Sequence, residues 1–158
     1  MKIIIQRTNS SKLFIDNKLF CETKKGFLAL VGFTASDDES LFPWFANRIM
    51  NLRIFPDEEG KMNLSLLDVG GEAMFVSNFT LYGDSKKGFR PSYSGAMQPA
   101  DAELLYYKFV DYINFNYKDT KVASGVFGAM MDIEFVNSGP VTLIIEKNNE
   151  LKINEKEL

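Results

Sequence analysis

The stretch "FVNSGPVTLIIE", Phe135 to Glu146, is the segment on which the interpretation of this 158-residue chain depends. Apolar residues flank a small core that begins at Asn137, and these flanks predict two strands. Gly139 beside Pro140 is typical of a turn, because Gly accepts unusual backbone angles and Pro fixes φ near about −65°. The alternative is that the pair holds a rare backbone shape needed for function, such as a cis peptide bond. Taken alone, the stretch favours the turn.

Further strands are predicted in the first 34 residues, at residues 72–84 and in the last third of the chain. The segments "KIIIQR" and "KLFIDNKLFCE" predict extended pieces, with a turn at Asp16 and Asn17. The run "GFLALVGFT" (26–34) is apolar nearly throughout, which predicts a central strand buried on both faces. The segment "EAMFVSNFTLYGD" (72–84) predicts one long strand, and the last third of the chain predicts successive strands.

Two helices are predicted between the strands. The first covers about residues 38–51, where Ser36 and Glu39 resemble a capping box, and the second begins at Pro99 and covers about residues 99–115. Both have apolar residues spaced by four, which predicts one buried stripe on each helix. The stripes are Leu41, Phe45 and Ile49 in the first helix, and Leu105, Phe109 and Ile113 in the second.

The order of strands, helix, strand, helix and strands predicts an α+β fold. We expect a single domain with a curved, mostly antiparallel or mixed, barrel-like sheet that carries two main helices. This domain is expected to cover residues 1–146, and residues 147–158 form a polar, frayed tail.

The composition excludes several classes of function. The chain has no histidine and one cysteine, Cys21, which excludes an intrachain disulfide, zinc sites and Ser/Cys–His triads. Its net charge of −3 disfavours wholesale, charge-driven binding of nucleic acid. The N-terminal apolar run is too short for a signal peptide or a membrane span, so we expect a cytoplasmic protein.

The segment "SNFT", Ser77 to Thr80, is the first candidate site. In a strand, Ser77 and Phe79 would face one way and Asn78 and Thr80 the other. Two hydroxyls and an amide at the end of a strand could line a pocket, or they could be the polar face of a half-exposed strand. A threonine nucleophile normally needs a neighbouring base, and none is visible here, so Thr80 is weakly supported in that role.

Two other segments could contact a ligand. In "KKGFR" the cations Lys86, Lys87 and Arg90 surround an aromatic residue, a combination that could grip a phosphate backbone or could be a solvated charge run. In "VFGAMM" (126–131) small and soft residues, ending at Met131, predict either core packing or the floor of a pocket that a ligand approaches closely.

Six segments resemble the D-aminoacyl-tRNA deacylase family in their order and spacing, from Met1 to about Ile145. They are "NLRIF", "GKMNLS", "VSNFTLYGD", "KKGFRPSYS", "GVFGAMM" and "VNSGPVTL". The family's second signature, Asn-x-Gly-Pro-x-Thr, is intact at residues 137–142. Its first, Ser-Gln-Phe-Thr, is matched except at Asn78, which keeps the amide but lacks one methylene group.

The resemblance implies a homodimeric hydrolase of translation quality control. It would cleave the ester that joins a D-amino acid, or glycine, to the 3′ end of tRNA, without metal, cofactor or membrane. A cis Gly139–Pro140 unit, inserted into the partner subunit's pocket, would reject L-amino acids, and the tRNA 2′-hydroxyl would assist catalysis. The implied roles are catalysis for Phe79 and Thr80, substrate binding and chiral selection for Ser77, Asn78, Met131, Gly139 and Pro140, and RNA binding for Lys86, Lys87 and Arg90.

Two alternatives stay open at this point. The chain could be a non-enzymatic module that binds an RNA 3′ end through residues 86–90 and 77–80. It could also be an esterase that uses Thr80 on small D-acyl esters without any RNA.

Overall fold

The computed structural model describes residues 1–149 and confirms the α+β fold, with a curved mixed sheet that carries two helices. The strands are β1 (Lys2–Ile15), β2 (Lys18–Thr23), β3 (Gly26–Gly32), β4 (Phe55–Pro56), β5 (Met62–Leu64), β6 (Glu72–Ser77), β7 (Val122–Ser124) and β8 (Met131–Glu146). The helices are α1 (Phe42–Met50) and α2 (Pro99–Asn116), and two 3₁₀ turns cover Glu39–Leu41 and Phe79–Tyr82. No helix in residues 1–149 is both long and apolar enough to cross a lipid bilayer.

Strand β1 holds the sheet together because it pairs with three other strands. Its first half, from Lys2 to Thr8, pairs antiparallel with β3, and its second half, from Ser11 to Ile15, pairs antiparallel with β2. Its other edge pairs with β8 from end to end. Strands β3, β6 and β7 continue the sheet in parallel. The change of partner along β1 bends the sheet into its barrel-like shape.

The two faces of the sheet bury separate apolar clusters. The face that includes Ile3, Phe27 and Phe75 packs against α1 and α2. The opposite face, which includes Leu13 and Leu28, buries a second, smaller cluster. Strand β3 contributes to both clusters, which confirms the prediction of a central strand buried on both sides. The predicted apolar stripes of the two helices are likewise buried.

The predicted helices are confirmed, with corrections at the start of the first. A 3₁₀ turn precedes α1, and its N-cap is Asp38, whose carboxylate accepts a hydrogen bond from Ser40 N at 2.9 Å. The predicted capping box at Ser36 is therefore wrong, because a carboxylate closer to the turn caps it. Pro43 lies in the first turn of α1, where its missing N–H costs no helical hydrogen bond.

One prediction for a connecting segment is corrected and another is confirmed. The residues on either side of Gly139 do not form two strands joined by a turn, because both halves belong to β8 and pair with β1. Asn137 pairs with Thr8 and Thr142 pairs with Gln6, so residues 138–141 form a bulge opposite the single residue between these partners. Strands β4 and β5 form a short hairpin after α1. The predicted turn at residues 16–17 is confirmed.

The start of the chain is fixed by a buried ion pair. The Met1 ammonium lies 2.6 Å from Asp37 Oδ1 and donates a second hydrogen bond to Lys147 O at 2.9 Å. Burial lowers the pKa of this ammonium, while Asp37 opposes the shift. Asn149 Nδ2 donates to Ser36 O at 3.1 Å, so the first residues of the predicted tail are attached to the domain rather than frayed. The rest of that tail lies outside the described residues.

We predict that Asp37→Asn lowers the free energy of unfolding by about 3 kcal/mol or more, because it leaves a buried ammonium without its counter-ion. Urea unfolding of the variant and the parent measures this change. Glu59→Gln is the matched control, since its pair with Lys61 is at the surface, where ion pairs contribute little. Equal unfolding midpoints for the two variants would contradict the role given to Asp37.

Candidate functional site

The segment that follows β6 is a 3₁₀ turn capped by Asn78. Asn78 Oδ1 accepts hydrogen bonds from Thr80 N, at 3.1 Å, and from Thr80 Oγ1. Short amide side chains can bond to the backbone two residues ahead and so compete with a strand. For this reason the predicted long strand over residues 72–84 is wrong beyond Ser77, and so is the predicted alternation of side chains over residues 77–80.

A glycine lets this turn lie directly on the central strand. Asn78 N donates to Val31 O at 2.7 Å, next to Gly32. A Cβ atom on Gly32 would lie 3.0 Å from Asn78 O and 3.1 Å from the Cβ of Leu81. Only glycine leaves room for this approach without a shift of the backbone.

A pocket of about 420 Å³ opens beside the turn, within the usual range for small-ligand sites. Three of the predicted site residues line it, namely Ser77, Asn78 and Phe79. The remaining wall comes from the end of β3, the segment before α2, the start of α2 and the loop before β8. These lining residues are Val31, Gly32, Phe33, Tyr93, Ala96, Met97, Gln98, Pro99, Ala102, Phe127 and Gly128.

Two tyrosines of α2 hold the far wall of the pocket. Tyr106 Oη donates to Phe75 O at 2.9 Å, which fixes the helix to β6. Burial raises the pKa of Tyr106, so this hydroxyl stays a donor near neutral pH. Tyr107 Oη accepts a hydrogen bond from Phe127 N at 3.1 Å and so holds the loop that lines the pocket.

Aromatic side chains lie at the pocket, and a cationic loop follows the turn that lines it. Phe79 is 58% exposed and meets Tyr93 edge to face, with ring centroids 5.1 Å apart. The loop over residues 83–95 leads from the turn to the pocket wall, and Lys86, Lys87 and Arg90 are exposed on it. The three cations are exposed on this loop and do not line the pocket.

The pocket offers hydrogen-bond donors rather than a base. Among the lining residues of the described chain, Tyr93 is the single ionisable side chain. Within residues 1–149, no three Asp, Glu or Cys side chains converge as a metal site would require. Two N–H groups beside the pocket have no hydrogen-bond partner among these residues: the backbone N–H of Phe79 and the Nδ2 amide of Asn78. Such groups can stabilise negative charge on an oxygen atom.

The Gly139–Pro140 peptide is cis and lies at the exposed surface of the β8 bulge. The two polar residues of its motif bracket it, because Asn137 Oδ1 accepts from Val141 N and Asn137 Nδ2 donates to Thr142 Oγ1, each at 3.2 Å. The bulge is thus closed by its own side chains.

Arg7 fixes the bulge to the rest of the domain, a role that the sequence did not reveal. Its Nε donates to Ser138 O at 3.1 Å and its Nη1 donates to Ile54 O at 2.6 Å. Gly139 has φ of +124°, and a Cβ there would lie 2.9 Å from Arg7 Nη2. The sequence feature that could have indicated this role is the position of Arg7 itself, a charged residue that follows the apolar, β-branched run of the first strand.

The bulge does not reach the pocket of the same chain. Arg7 lies opposite the bulge on β1. Ile3, on the same strand, lies at the level of Val31 and Ser77, which line the pocket. The bulge and the pocket are therefore roughly 13 Å apart along the strands. They are also three strands apart across the sheet, roughly 14 Å. Met131 lies apart from the pocket too, packed with the cluster around Leu13 and Leu28.

Residues 4–146 match the family described as D-Tyr-tRNA(Tyr) deacylase. The chain belongs to this family. The match confirms the family expected from the sequence, a family of hydrolases, and it covers the whole sheet from β1 to β8.

Individual members of the family resemble the chain over most of its length. The D-aminoacyl-tRNA deacylase of Bacillus velezensis is 47% identical over 146 residues, covering 92% of this chain and 98% of that protein. A Bacillus subtilis protein described as an inactive D-aminoacyl-tRNA deacylase is 50% identical over 132 residues, covering 84% of this chain and 98% of that protein. The solved structure of a c-Myc DNA Unwinding Element Binding Protein has a TM-score of 0.88 and 31% identity, covering 93% of this chain and 99% of that chain.

We predict that Gly139→Ala destabilises the domain by about 1–3 kcal/mol from its backbone angle, and by more because the new methyl meets Arg7. Gly60→Ala is the comparison, since Gly60 also has a positive φ, +79°, but lies nearer the left-handed region that alanine can adopt, and a Cβ there meets nothing within 4 Å. Chemical unfolding of both variants compares the two losses. A greater loss for the Gly60 variant would show that the contact with Arg7 is unimportant.

Proposed function

We propose that this chain hydrolyses the ester bond of D-aminoacyl-tRNA, and of glycyl-tRNA, and releases the free amino acid and tRNA in the cytoplasm. The observation that carries the proposal is the pocket at Ser77–Phe79, in a chain that belongs to the deacylase family over residues 4–146. The pocket is mostly apolar, is edged by aromatic rings, and is large enough for a nucleoside or an amino acid.

The cationic loop supports an RNA substrate. The protein carries a net charge of −3, yet Lys86, Lys87 and Arg90 lie together on an exposed loop that leads to the pocket. Phe89 projects fully into solvent between them. Cations that contact phosphates and an aromatic ring that stacks on a base are the usual means of holding a single-stranded RNA end.

A second copy of the chain would complete the site. The Gly139–Pro140 bulge is too far from its own pocket to act there, but it is exposed and can enter the pocket of a partner. The free edge of β8 carries exposed apolar side chains on both sides of the bulge, which a partner would cover: Phe135, Val136, Leu143 and Ile144. A two-fold dimer would place each bulge at the other subunit's pocket.

The bulge would then act as a chirality filter made of main chain. Its carbonyl oxygens would accept hydrogen bonds from the α-ammonium of the substrate and occupy the space that an L side chain needs. Rejecting L substrates a thousandfold requires about 4 kcal/mol, which a backbone clash can supply. A side chain could move aside, whereas the bulge is held by Arg7 and by Asn137.

Catalysis would combine a group of the RNA with donors of the protein. The pocket has no carboxylate, lysine or arginine among its lining residues in the described chain, so the tRNA 2′-hydroxyl is proposed to help activate the attacking water. The free N–H of Phe79 would bind the developing oxyanion. Thr80 would shape the site through its hydrogen bonds to Asn78 rather than attack the ester.

The central experiment follows ester loss from matched D- and L-aminoacyl-tRNA. We expect hydrolysis of the D form and at least a hundredfold slower hydrolysis of the L form. For Pro140→Ala we expect this preference to fall at least tenfold while the unfolding midpoint changes little, because alanine no longer fixes φ in the bulge. An unchanged preference in the variant would overturn the filter.

A substrate whose terminal ribose lacks the 2′-hydroxyl tests whether the RNA or Thr80 supplies the reactive group. We expect its hydrolysis to be at least a hundredfold slower than that of normal D-aminoacyl-tRNA, while Thr80→Ala keeps substantial activity on the normal substrate. Complete loss in a folded Thr80→Ala protein, with full turnover of the deoxy substrate, would instead establish a threonine nucleophile.

A non-enzymatic RNA-end-binding module is the second candidate. Two relatives favour keeping it: the Bacillus subtilis protein described as inactive, and the structure whose name describes DNA-element binding. Under this alternative the chain binds D-aminoacyl-tRNA through residues 86–90 and 77–80 but leaves the ester intact. Binding without ester loss in the central experiment would establish it.

A further inference from the structure

We propose that the hydroxyl of Tyr93 binds the terminal ribose of the RNA, at the 2′-hydroxyl beside the ester. This inference rests on the proposed deacylase function and names a side chain that holds the RNA end at the pocket. It follows from how the Tyr93 ring is held, from its unused hydroxyl, and from its place in the chain between the cationic loop and the pocket wall.

The backbone of Tyr93 is fixed on both sides. Before it, Asp84 N and Ser92 N each donate to the carbonyl oxygen of the other residue, at 2.7 and 2.9 Å. After it, Ala96 N donates to Tyr93 O at 3.0 Å. Tyr93 therefore lies at the closed base of the loop over residues 85–91. A side chain on such a fixed backbone meets a ligand at a lower entropic cost.

The ring of Tyr93 is packed on two neighbours. It meets Phe79 edge to face, with ring centroids 5.1 Å apart. It also lies against Gly83, where a Cβ atom would be only 2.9 Å from Tyr93 Cε1. Any residue larger than glycine at position 83 would displace the ring. These two contacts hold the ring in place where it lines the pocket.

The hydroxyl of Tyr93 is free to bind a ligand. It has no hydrogen-bond partner within residues 1–149, and Tyr93 is 41% exposed although it lines the pocket. The tyrosines of α2 differ in this respect, because the hydroxyls of Tyr106 and Tyr107 are bonded within the protein. A tyrosine hydroxyl can both donate and accept. Tyr93 thus offers a polar group in a mostly apolar pocket.

The position of Tyr93 selects the part of the substrate that it meets. Arg90 precedes it by three residues, so their Cα atoms are at most roughly 11 Å apart. Phe79, beside which the ester is proposed to lie, is in ring contact with it. In the substrate, the terminal ribose joins the last phosphate to the ester, and the 2′-hydroxyl is its one free hydroxyl. An RNA end that extends from Arg90 to Phe79 therefore passes Tyr93 with its ribose.

Tyr93→Phe removes the hydroxyl and keeps the ring. The probe is 3′-amino-3′-deoxyadenosine that carries D-alanine through an amide, which is bound without being hydrolysed, and calorimetry measures its affinity. We expect binding to weaken about three- to tenfold, the usual effect of one lost neutral hydrogen bond. Tyr117→Phe is the matched control and should bind as the parent does, because Tyr117 ends α2 whereas Pro99, which lines the pocket, begins it.

The same probe without its 2′-hydroxyl identifies the atom that Tyr93 contacts. We expect the parent protein to bind this deoxy probe about three- to tenfold more weakly than the normal probe. The Tyr93→Phe protein should bind the two probes equally. Any effect of the deoxy sugar that does not involve Tyr93 appears in both proteins and cancels in the comparison. If the 2′-hydroxyl contributes as much in the variant as in the parent, the proposal is overturned.

The parent protein alone also provides a test, in case the variant fails to fold. Equal affinity of the parent for the two probes would overturn the proposal without any substitution. We expect the unfolding midpoint of Tyr93→Phe to be unchanged, because the hydroxyl has no partner in the described chain.

Failure of this inference and failure of the proposed function give different results. A parent protein that cleaves D-aminoacyl-tRNA, with a folded Tyr93→Phe variant that binds the probe equally well, would overturn this inference alone. A parent protein that shows the expected dependence on the 2′-hydroxyl and on Tyr93, but leaves D-aminoacyl-tRNA intact, would overturn hydrolysis and support the contact.

Discussion

The pairing of β1 with β8 is the constraint on which the rest of this structure depends. It runs the full length of both strands, so the C-terminal third of the chain returns to the first strand and closes the sheet around it. The pairing also fixes the bulge: Thr8 and Gln6 are paired on either side, and the residues left over must project from the sheet. Arg7, the residue opposite, then binds the bulge to the domain.

The pocket depends on a second, local constraint, the turn capped by Asn78. Strand β6 is buried up to Val76, and its end brings the turn to the surface beside β3. The absence of a side chain at Gly32 lets the turn pack closely, and the tyrosines of α2 hold the opposite wall. The result is an apolar cavity with polar groups at one edge, which suits orientation of a substrate more than acid–base chemistry.

The two constraints place the bulge and the pocket at different ends of one subunit, and this separation gives the proposed mechanism its form. The bulge, as a rigid piece of main chain, is proposed to select a substrate in the pocket of a second copy of the chain. The pocket, with donors but no carboxylate, lysine or arginine among its described lining residues, is proposed to stabilise charge while the substrate helps to activate water. Selection, charge stabilisation and water activation are thus proposed to come from the partner, the subunit and the RNA respectively.

The sequence by itself determined the α+β class, both helices with their buried stripes, the buried central strand and the family, because apolar periodicity and motif spacing are properties of the chain alone. Apolar periodicity did not reveal the capped turn at residues 77–80, because a hydrogen bond from Thr80 to Asn78 decides it. It did not reveal the bulge at residues 138–141 either, because the pairing of β8 with β1 decides it. Nor did it reveal Arg7, whose carbonyl partners lie 131 and 47 residues away in sequence. Tertiary structure alone decided the bulge and the role of Arg7, since contacts between residues far apart in sequence outweigh local preference.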